Sequence, residues 1–211
     1  AYDNRGEGFN AGWAATDVVI QDCVAYNNGA LNVYNDSAKG TIIRRNLVYC
    51  TPGAKFGPRA GIVIGAEAGA PANLQIVNNL CLGNWINLVT DSNVTVADHF
   101  LIAYNTFVNS RKTPEDISSG YDMGVYFRPQ LASAINSRFE NNIVIEEGTG
   151  QIPINTTLAG ASAGWIFANN CWNKKPASAA TGPGDVIADP RLARTGATDA
   201  GALGPAWFRI S

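Results

Sequence analysis

A short pattern of apolar and polar residues recurs six times along the chain. The six copies occupy residues 18–28, 41–50, 74–84, 100–110, 137–147 and 165–175. The third residue of every copy is Ile or Phe, and the eighth is always apolar, so we expect both positions to face a core. Recurrence of one unit every few tens of residues is typical of a solenoid.

The sixth position of the pattern is Cys23 in the first copy and Asn in the other five. The asparagines are Asn46, Asn79, Asn105, Asn142 and Asn170. An amide between two apolar runs suits an inward turn, because stacked Asn side chains hydrogen-bond to one another and are not left unpaired. Consecutive sixth positions lie 23, 33, 26, 37 and 28 residues apart. This spacing predicts coils of about 22 residues with loops of variable length, stacked at the ~4.8 Å strand spacing.

Each coil also contains a second segment that alternates with period two, as in a strand with one buried face. We align residues 8–11, 30–33, 61–64, 85–88 and 124–127, which places apolar residues at the second and fourth positions. Three outward columns follow from this alignment. They are Asn10, Asn32, Val63, Asn87 and Tyr126; then Gly12, Tyr34, Gly65, Val89 and Arg128; then Ala14, Asp36, Glu67, Asp91 and Gln130.

At this level the sequence resembles the parallel β-helix proteins of the pectate-lyase-like superfamily. The resemblance lies in GEGF at 6–9, VVIQDCVAYNN at 18–28 and TIIRRNLVY at 41–49, and it extends over about residues 4–175. The segment ADPRL at 188–192, with DAGALGPAW at 199–207, also resembles the closing segment of many bacterial members. The resemblance implies an all-β, right-handed parallel β-helix of about six coils. Many members are secreted carbohydrate-active lyases and hydrolases, and others are binding or assembly proteins.

We interpret residues 1–211 as one β-helix domain, since one pattern runs through the chain without a linker. Residues 1–17 are predicted to start in the middle of a coil. Residues 176–211 are predicted to form a C-terminal loop and a cap, in which Trp207 and Phe208 cover the core. The resemblance favours a secreted or cell-surface bacterial protein, although no signal peptide is visible. The four cysteines have no disulfide or zinc spacing, so we expect free thiols.

Three acidic residues are the main candidates for chemistry. Asp36, Glu67 and Asp91 stack on consecutive coils in our alignment, with carboxylates about 5 Å apart. Paired carboxylates suit acid/base hydrolysis of glycosides, and a carboxylate cluster equally suits Ca²⁺, the one candidate cofactor. Lyases of the resembled family commonly combine such an ion with a Lys or Arg base, which would be Arg128, with Lys55 and Arg59 able to reach the same face. The alternative is that these acids are solvated turn residues at strand ends.

Polar residues on the same face are candidates for substrate binding. Asn10, Asn32, Asn87 and Tyr126 form one column that suits sugar hydroxyls, and Tyr34 lies in the next column. Exposed Asn residues are also ordinary on a solenoid face. The single His99 stands without a nucleophile motif, so it gives no basis for a catalytic triad.

Composition excludes several classes of function. The formal charge is −2, only 15% of residues are charged and no basic stripe is present, which argues against nucleic-acid binding. No apolar run is long enough for membrane insertion. The first hypothesis is a polysaccharide lyase or glycosidase, or a fragment of one, with a polysaccharide or oligosaccharide as partner. The second is a non-catalytic carbohydrate-binding or assembly module that self-associates through an uncapped N-terminal coil.

Overall fold

The computed structural model describes residues 1–13, 15–57, 59–111, 123–156 and 164–192, and most regular structure in these ranges is β-strand. Three long parallel sheets are present. Sheet I contains β1 (Phe9–Ala11), β4 (Leu31–Asp36), β7 (Ala60–Gly65), β10 (Leu88–Thr90), β14 (Met123–Tyr126) and β18 (Ile152–Asn155). Sheet II contains β2 (Val19–Gln21), β5 (Ile42–Arg44), β8 (Gln75–Val77), β12 (Leu101–Ala103), β16 (Ser137–Glu140) and β19 (Trp165–Ala168). Sheet III contains β3 (Val24–Tyr26), β6 (Leu47–Tyr49), β9 (Leu80–Leu82), β13 (Thr106–Val108), β17 (Ile143–Ile145), β20 (Cys171–Trp172) and β21 (Val186–Ile187).

The chain visits the three sheets in turn and therefore winds as a coil. From sheet I at β4 it passes to sheet II at β5 and sheet III at β6, and β7 then returns to sheet I beside β4. A small fourth sheet pairs β11 (Val96–Asp98) with β15 (Ser133–Ile135). The protein is thus an all-β parallel β-helix, which confirms the predicted solenoid. In the described part of the chain, no helix is long and apolar enough to cross a membrane.

The two apolar columns of the repeat fill the interior, as predicted. Ile43, Ile76, Ile102 and Phe139 from the third position have no exposed surface. The core becomes aromatic towards the C-terminal coils, where Phe139 packs against Phe107 and Trp172 with ring centroids 6.4 and 5.8 Å away. Burial of these columns is the main favourable contribution to folding.

The repeated asparagines form a continuous interior stack, here called the long ladder, which confirms its prediction. Its members are Asn46, Asn79, Asn105, Asn142 and Asn170, all at most 3% exposed. Asn105 Oδ1 accepts hydrogen bonds from Asn79 N at 2.9 Å and Asn79 Nδ2 at 3.0 Å, while Asn105 Nδ2 donates to Ile76 O at 2.8 Å. The residue before each ladder Asn has a φ of 53–55°, or 58° at Tyr104, which turns the chain sharply between sheets II and III.

Residues of different chemistry stand at the two ends of the long ladder. At one end, Cys23 N donates to Asn46 Oδ1 at 3.0 Å. At the other end, Asp185 accepts from Asn170 N at 2.8 Å and from Trp172 Nε1 at 3.1 Å. A carboxylate has only acceptors, so the ladder ends at Asp185 without an unpaired amide N–H. Cys23, like the other three cysteines, is free, as predicted.

A second asparagine stack, here called the corner ladder, lies where the chain bends from sheet III onto sheet I. It consists of Asn28, Asn32, Asn84 and Asn87, each joined to the next by a side-chain hydrogen bond of 2.9 Å. Glycines on the intervening coils make room for these amides. A Cβ added to Gly61 would lie 2.6 Å from Asn87 O and 2.9 Å from Asn84 Nδ2.

We expect Gly61→Ala to lower the free energy of unfolding by about 2 kcal/mol, the usual range for overpacking a tight interior. The added methyl group meets Asn87 O, which accepts a hydrogen bond from Ile62 N, and the Asn84 amide, which belongs to the corner ladder, so neither can move without weakening a hydrogen bond. Gly53→Ala is the matched control, because nothing lies within 4 Å of its added Cβ. Urea denaturation of both variants measures the difference. Equal stability of the two variants would contradict the role of Gly61.

The chain begins alongside sheet III rather than sheet I. Tyr2 pairs with Tyr26 in a parallel bridge, and the Ala1 ammonium donates to Val24 O at 2.8 Å. The rings of Tyr2, Tyr26 and Tyr49 stack at centroid distances of 4.9 and 4.8 Å.

The predicted cap residues Trp207 and Phe208 lie outside the described residues.

Candidate functional site

The candidate site lies on the outer face of sheet I. Strand pairing places Asn10, Tyr34, Val63, Val89 and Tyr126 side by side on this face. Two residues further along each strand, Asp36 pairs with Gly65, and the same register brings Asp91 beside Gly65 and Arg128 beside Asp91. Side chains from consecutive coils thus meet on one surface.

The register corrects the predicted acidic column. Asp36 lies opposite Gly65 and not opposite Glu67, so the prediction that Asp36, Glu67 and Asp91 share one column is wrong. The alignment is displaced by two residues at two coils, those of β4 and β10. Its cause is the bend onto sheet I, where Asn32 and then Val33 both face the interior and interrupt the alternation of the strand.

Two of the predicted substrate-binding residues do not face outward. Asn32 and Asn87 are fully buried in the corner ladder, and Asn87 Nδ2 donates to Val108 O at 3.1 Å. Their amides are satisfied inside the solenoid, so their predicted place on the outer face is wrong. Asn10 is exposed on the first strand, while Tyr34 and Tyr126 lie on the outer face and are 5% and 7% exposed.

Tyr34 links two coils of the site. Its ring crosses over Gly65, where an added Cβ would approach the ring to 2.7 Å, and its hydroxyl donates to Glu67 Oε1 at 2.9 Å. Burial raises the pKa of Tyr34, and the hydrogen bond to Glu67 and the nearby carboxylates of Asp36 and Asp91 raise it further. Tyr34 is therefore a protonated donor at neutral pH and holds the exposed Glu67 carboxylate in place.

Asp36 serves the turn that follows β7. Asp36 is 4% exposed, and its Oδ1 accepts from Glu67 N at 2.9 Å and from Ser37 Oγ at 2.9 Å. These bonds fix the backbone that carries Glu67. Asp36 is thus placed to position Glu67, whereas Glu67 and Asp91 are the more accessible carboxylates of the predicted trio.

Arg128 and Asp91 form the other side of the site. Arg128 Nε lies 3.9 Å from Asp91 Oδ1, and the guanidinium carbon lies 5.8 Å from the centre of the Tyr126 ring. The separation from Asp91 is too long for a hydrogen bond, so the pair is held loosely. Arg128 N donates to Thr90 Oγ1 at 2.9 Å, which fixes the backbone of Arg128 against β10.

A pocket of about 180 Å³ lies beside Asp91 and Arg128. Its lining consists of Ala30, Leu31, Arg59, Ala60, Val63, Trp85, Val89, Asp91 and Arg128. Arg59 reaches this face, as the sequence suggested, while the Lys55 ammonium lies 5.2 Å above the Phe56 ring. Sequence reasoning missed Trp85. Its one signal is its size, because the other coils have only Gly8, Ala30, Gly61 and Gly124 at the first position of the second-segment alignment.

The predicted calcium ligands interact with protein groups in this structure. Across the described ranges, no three His, Cys, Asp or Glu side chains are grouped closely enough to hold a metal ion. Asp36 and Glu67 each accept hydrogen bonds from protein donors, and Asp91 faces Arg128. Binding of Ca²⁺ stays a prediction, and no step below depends on a metal.

The site combines an apolar floor, an aromatic wall residue, two arginines and an accessible acid. Comparisons of the chain with models of protein families, with curated proteins and with solved structures found no match.

Proposed function

We propose that this chain is a carbohydrate-active β-helix protein that binds an oligosaccharide on the outer face of sheet I and cleaves it, as a polysaccharide lyase or a glycosidase. The observation that carries the proposal is the pocket lined by Trp85, Val63 and Val89 and flanked by charged side chains. The resemblance to the pectate-lyase-like superfamily agrees with this function and with a secreted or cell-surface location.

A sugar unit suits this combination of surfaces. Sugars have apolar C–H faces that pack against aromatic and aliphatic side chains, and hydroxyl groups that need donors and acceptors at their edges. Trp85 and the valines supply the first surface, while Arg59, Arg128 and Asp91 supply the second. Because the lining comes from consecutive coils, neighbouring units of a chain would lie along the solenoid axis.

Three residues carry the proposed chemistry. In a glycosidase, Glu67 and Asp91 serve as the two carboxylates, one as general acid and the other as base or nucleophile. In a lyase, Arg128 in its deprotonated form removes the C5 proton as general base, the C4–O bond breaks to leave a C4=C5 double bond, and the departing oxygen takes a proton from water. The glycosidase scheme uses the two carboxylates and the lyase scheme uses Arg128, so the two schemes differ in their reacting groups and in their products.

A screen with acidic and neutral polysaccharides separates the two schemes. Unsaturated products with strong ultraviolet absorbance indicate elimination, whereas reducing ends without that absorbance indicate hydrolysis. We expect Arg128→Gln to reduce elimination roughly 100-fold, the lower end of what a general base contributes. We expect Trp85→Ala to weaken binding about tenfold, as for an aromatic residue at a binding hot spot.

Lys55→Gln is the control for these variants, since Lys55 carries the same charge but packs on Phe56. Turnover unchanged in Arg128→Gln, with the control also unchanged, would remove Arg128 from the proposed site. Circular dichroism and urea midpoints establish that each variant is folded.

A second candidate function is a non-catalytic carbohydrate-binding or assembly module. The observation that favours it is the use of Asp36 in a backbone turn, which leaves fewer free acids than a catalytic trio needs. This function predicts sugar binding without products. Assembly through the N-terminal coil predicts a sedimentation coefficient that increases with protein concentration.

A further inference from the structure

The floor of the pocket on sheet I is almost entirely apolar. Of its nine lining residues, only Arg59, Asp91 and Arg128 are polar. Val63 and Val89 belong to an outer cluster that also contains Ile86 and Met123, so apolar side chains continue beyond the pocket. The backbone of β7 pairs with β4 on one side and β10 on the other, so it has few hydrogen-bonding groups to offer a ligand.

This floor discriminates between the substituents of a sugar. A hydroxymethyl group pressed against Val63 and Val89 loses its hydrogen bonds to water and gains none in exchange. A methyl group at the same place loses nothing and buries apolar area. The polar groups at the ends of the pocket remain available for the ring hydroxyls.

The size of the pocket restricts the ligand further. Its volume of about 180 Å³ is well below the roughly 300 Å³ at which pockets for drug-sized ligands begin. It therefore holds one sugar unit of a chain. An acyl ester would add both bulk and a carbonyl oxygen that requires a donor, so it suits this floor less well than a methyl group.

We propose that this pocket selects a 6-deoxyhexose unit, whose C6 methyl group contacts Val63 and Val89 while Arg59, Asp91 and Arg128 bind ring hydroxyls. This inference rests on the proposed function and names the class of sugar in the substrate. The preference comes from the floor and not from the charged ends, so it is separable from catalysis.

Competition experiments test the preference, with direct measurement of the binding of each polysaccharide used in the screen above. The competitors are matched pairs: methyl α-L-rhamnopyranoside against methyl α-L-mannopyranoside, and methyl α-L-fucopyranoside against methyl α-L-galactopyranoside. The members of each pair differ only in the C6 hydroxyl. We expect the deoxy member of at least one pair to compete about 10- to 100-fold better, the range for small changes in an apolar pocket.

Val63→Thr and Val89→Thr test the origin of the preference, since Thr keeps the shape of Val and adds a hydroxyl to the floor. We expect either variant to reduce the preference about tenfold. Val19→Thr is the control, because Val19 lies on sheet II and is 49% exposed.

The possible failures of the two proposals are distinct. If the polysaccharide binds but both members of each pair compete equally, the inference is overturned and the proposed function stands. If no polysaccharide binds, the proposed function fails and the inference fails with it. A deoxy preference that persists unchanged in both Thr variants would overturn the assignment of the methyl group to this floor.

Discussion

Replacing Asn105 by Ala is expected to lower the free energy of unfolding by about 4 kcal/mol, a large value for one substitution. Asn105 is 1% exposed and occupies the middle of the long ladder. Its side chain accepts from Asn79 N and Nδ2 and donates to Ile76 O and Asn142 Oδ1, at 2.8–3.0 Å. The truncation leaves several buried groups unpaired in a place that water does not reach.

The matched control for this substitution is Cys23→Ala, at the same position of the first coil. Cys23 Sγ contacts Gln21 O at 3.1 Å within its own coil, whereas its backbone N supplies the bond to Asn46. Alanine keeps that backbone bond, so we expect a loss of less than about 1 kcal/mol. Guanidinium denaturation measures both losses. Losses of equal size in the two variants would mean that the ladder contributes no more than ordinary side-chain packing.

The long ladder was predictable from sequence because every coil repeats the same chemical requirement. Each amide must pair with the coil before it and the coil after it, so Asn recurs at one position with apolar columns on both sides. The asparagines of the corner ladder lack that regularity. On consecutive coils the residues at one position of this ladder are Asn32, Gly61, Asn87 and Gly124. No single residue type therefore marks the column.

The candidate site was predicted only in part, because some of its residues are not marked by a repeated pattern. The face on sheet I and the residues Tyr34, Tyr126 and Arg128 follow from alternation, which survives a shift of two residues. The stacking of Asp36 on Glu67 depends on the exact register, and that register is set by the bend at Asn32. The pocket also needs Trp85, whose place depends on how the coil enters the sheet and not on any repeated pattern.

Raising the pH is expected to destabilise the protein through Glu146, a carboxyl group with no exposed surface. Glu146 Oε2 accepts from Ser110 Oγ at 2.9 Å, and Oε1 accepts from Ser110 N at 2.9 Å. Burial raises the pKa of Glu146 from the ordinary 4.5 to about 8, although Ser110 and Lys174 act to lower it. The nearby carboxylate of Glu147 adds a small further increase.

The sign of the effect follows from proton binding. Between pH 4.5 and about 8 the folded protein keeps a proton on Glu146 that the unfolded chain has lost. The contribution of Glu146 to stability is therefore full below pH 4.5, decreases as the pH rises and reaches its minimum above about pH 8. Within this window the slope from one proton is about 1.4 kcal/mol per pH unit.

Urea denaturation at a series of pH values measures this slope. Glu146→Gln removes the titrating group and keeps an oxygen that accepts from Ser110 N, so its stability should vary less steeply with pH than that of the wild type. Glu147→Gln is the control on the adjacent residue, which is exposed and accepts from Asn109 Nδ2 at 2.7 Å. We expect this control to retain the wild-type slope. If Glu146→Gln retains it as well, Glu146 is ionised in the folded protein, and its buried charge must then be balanced by Lys174 and the donors of Ser110.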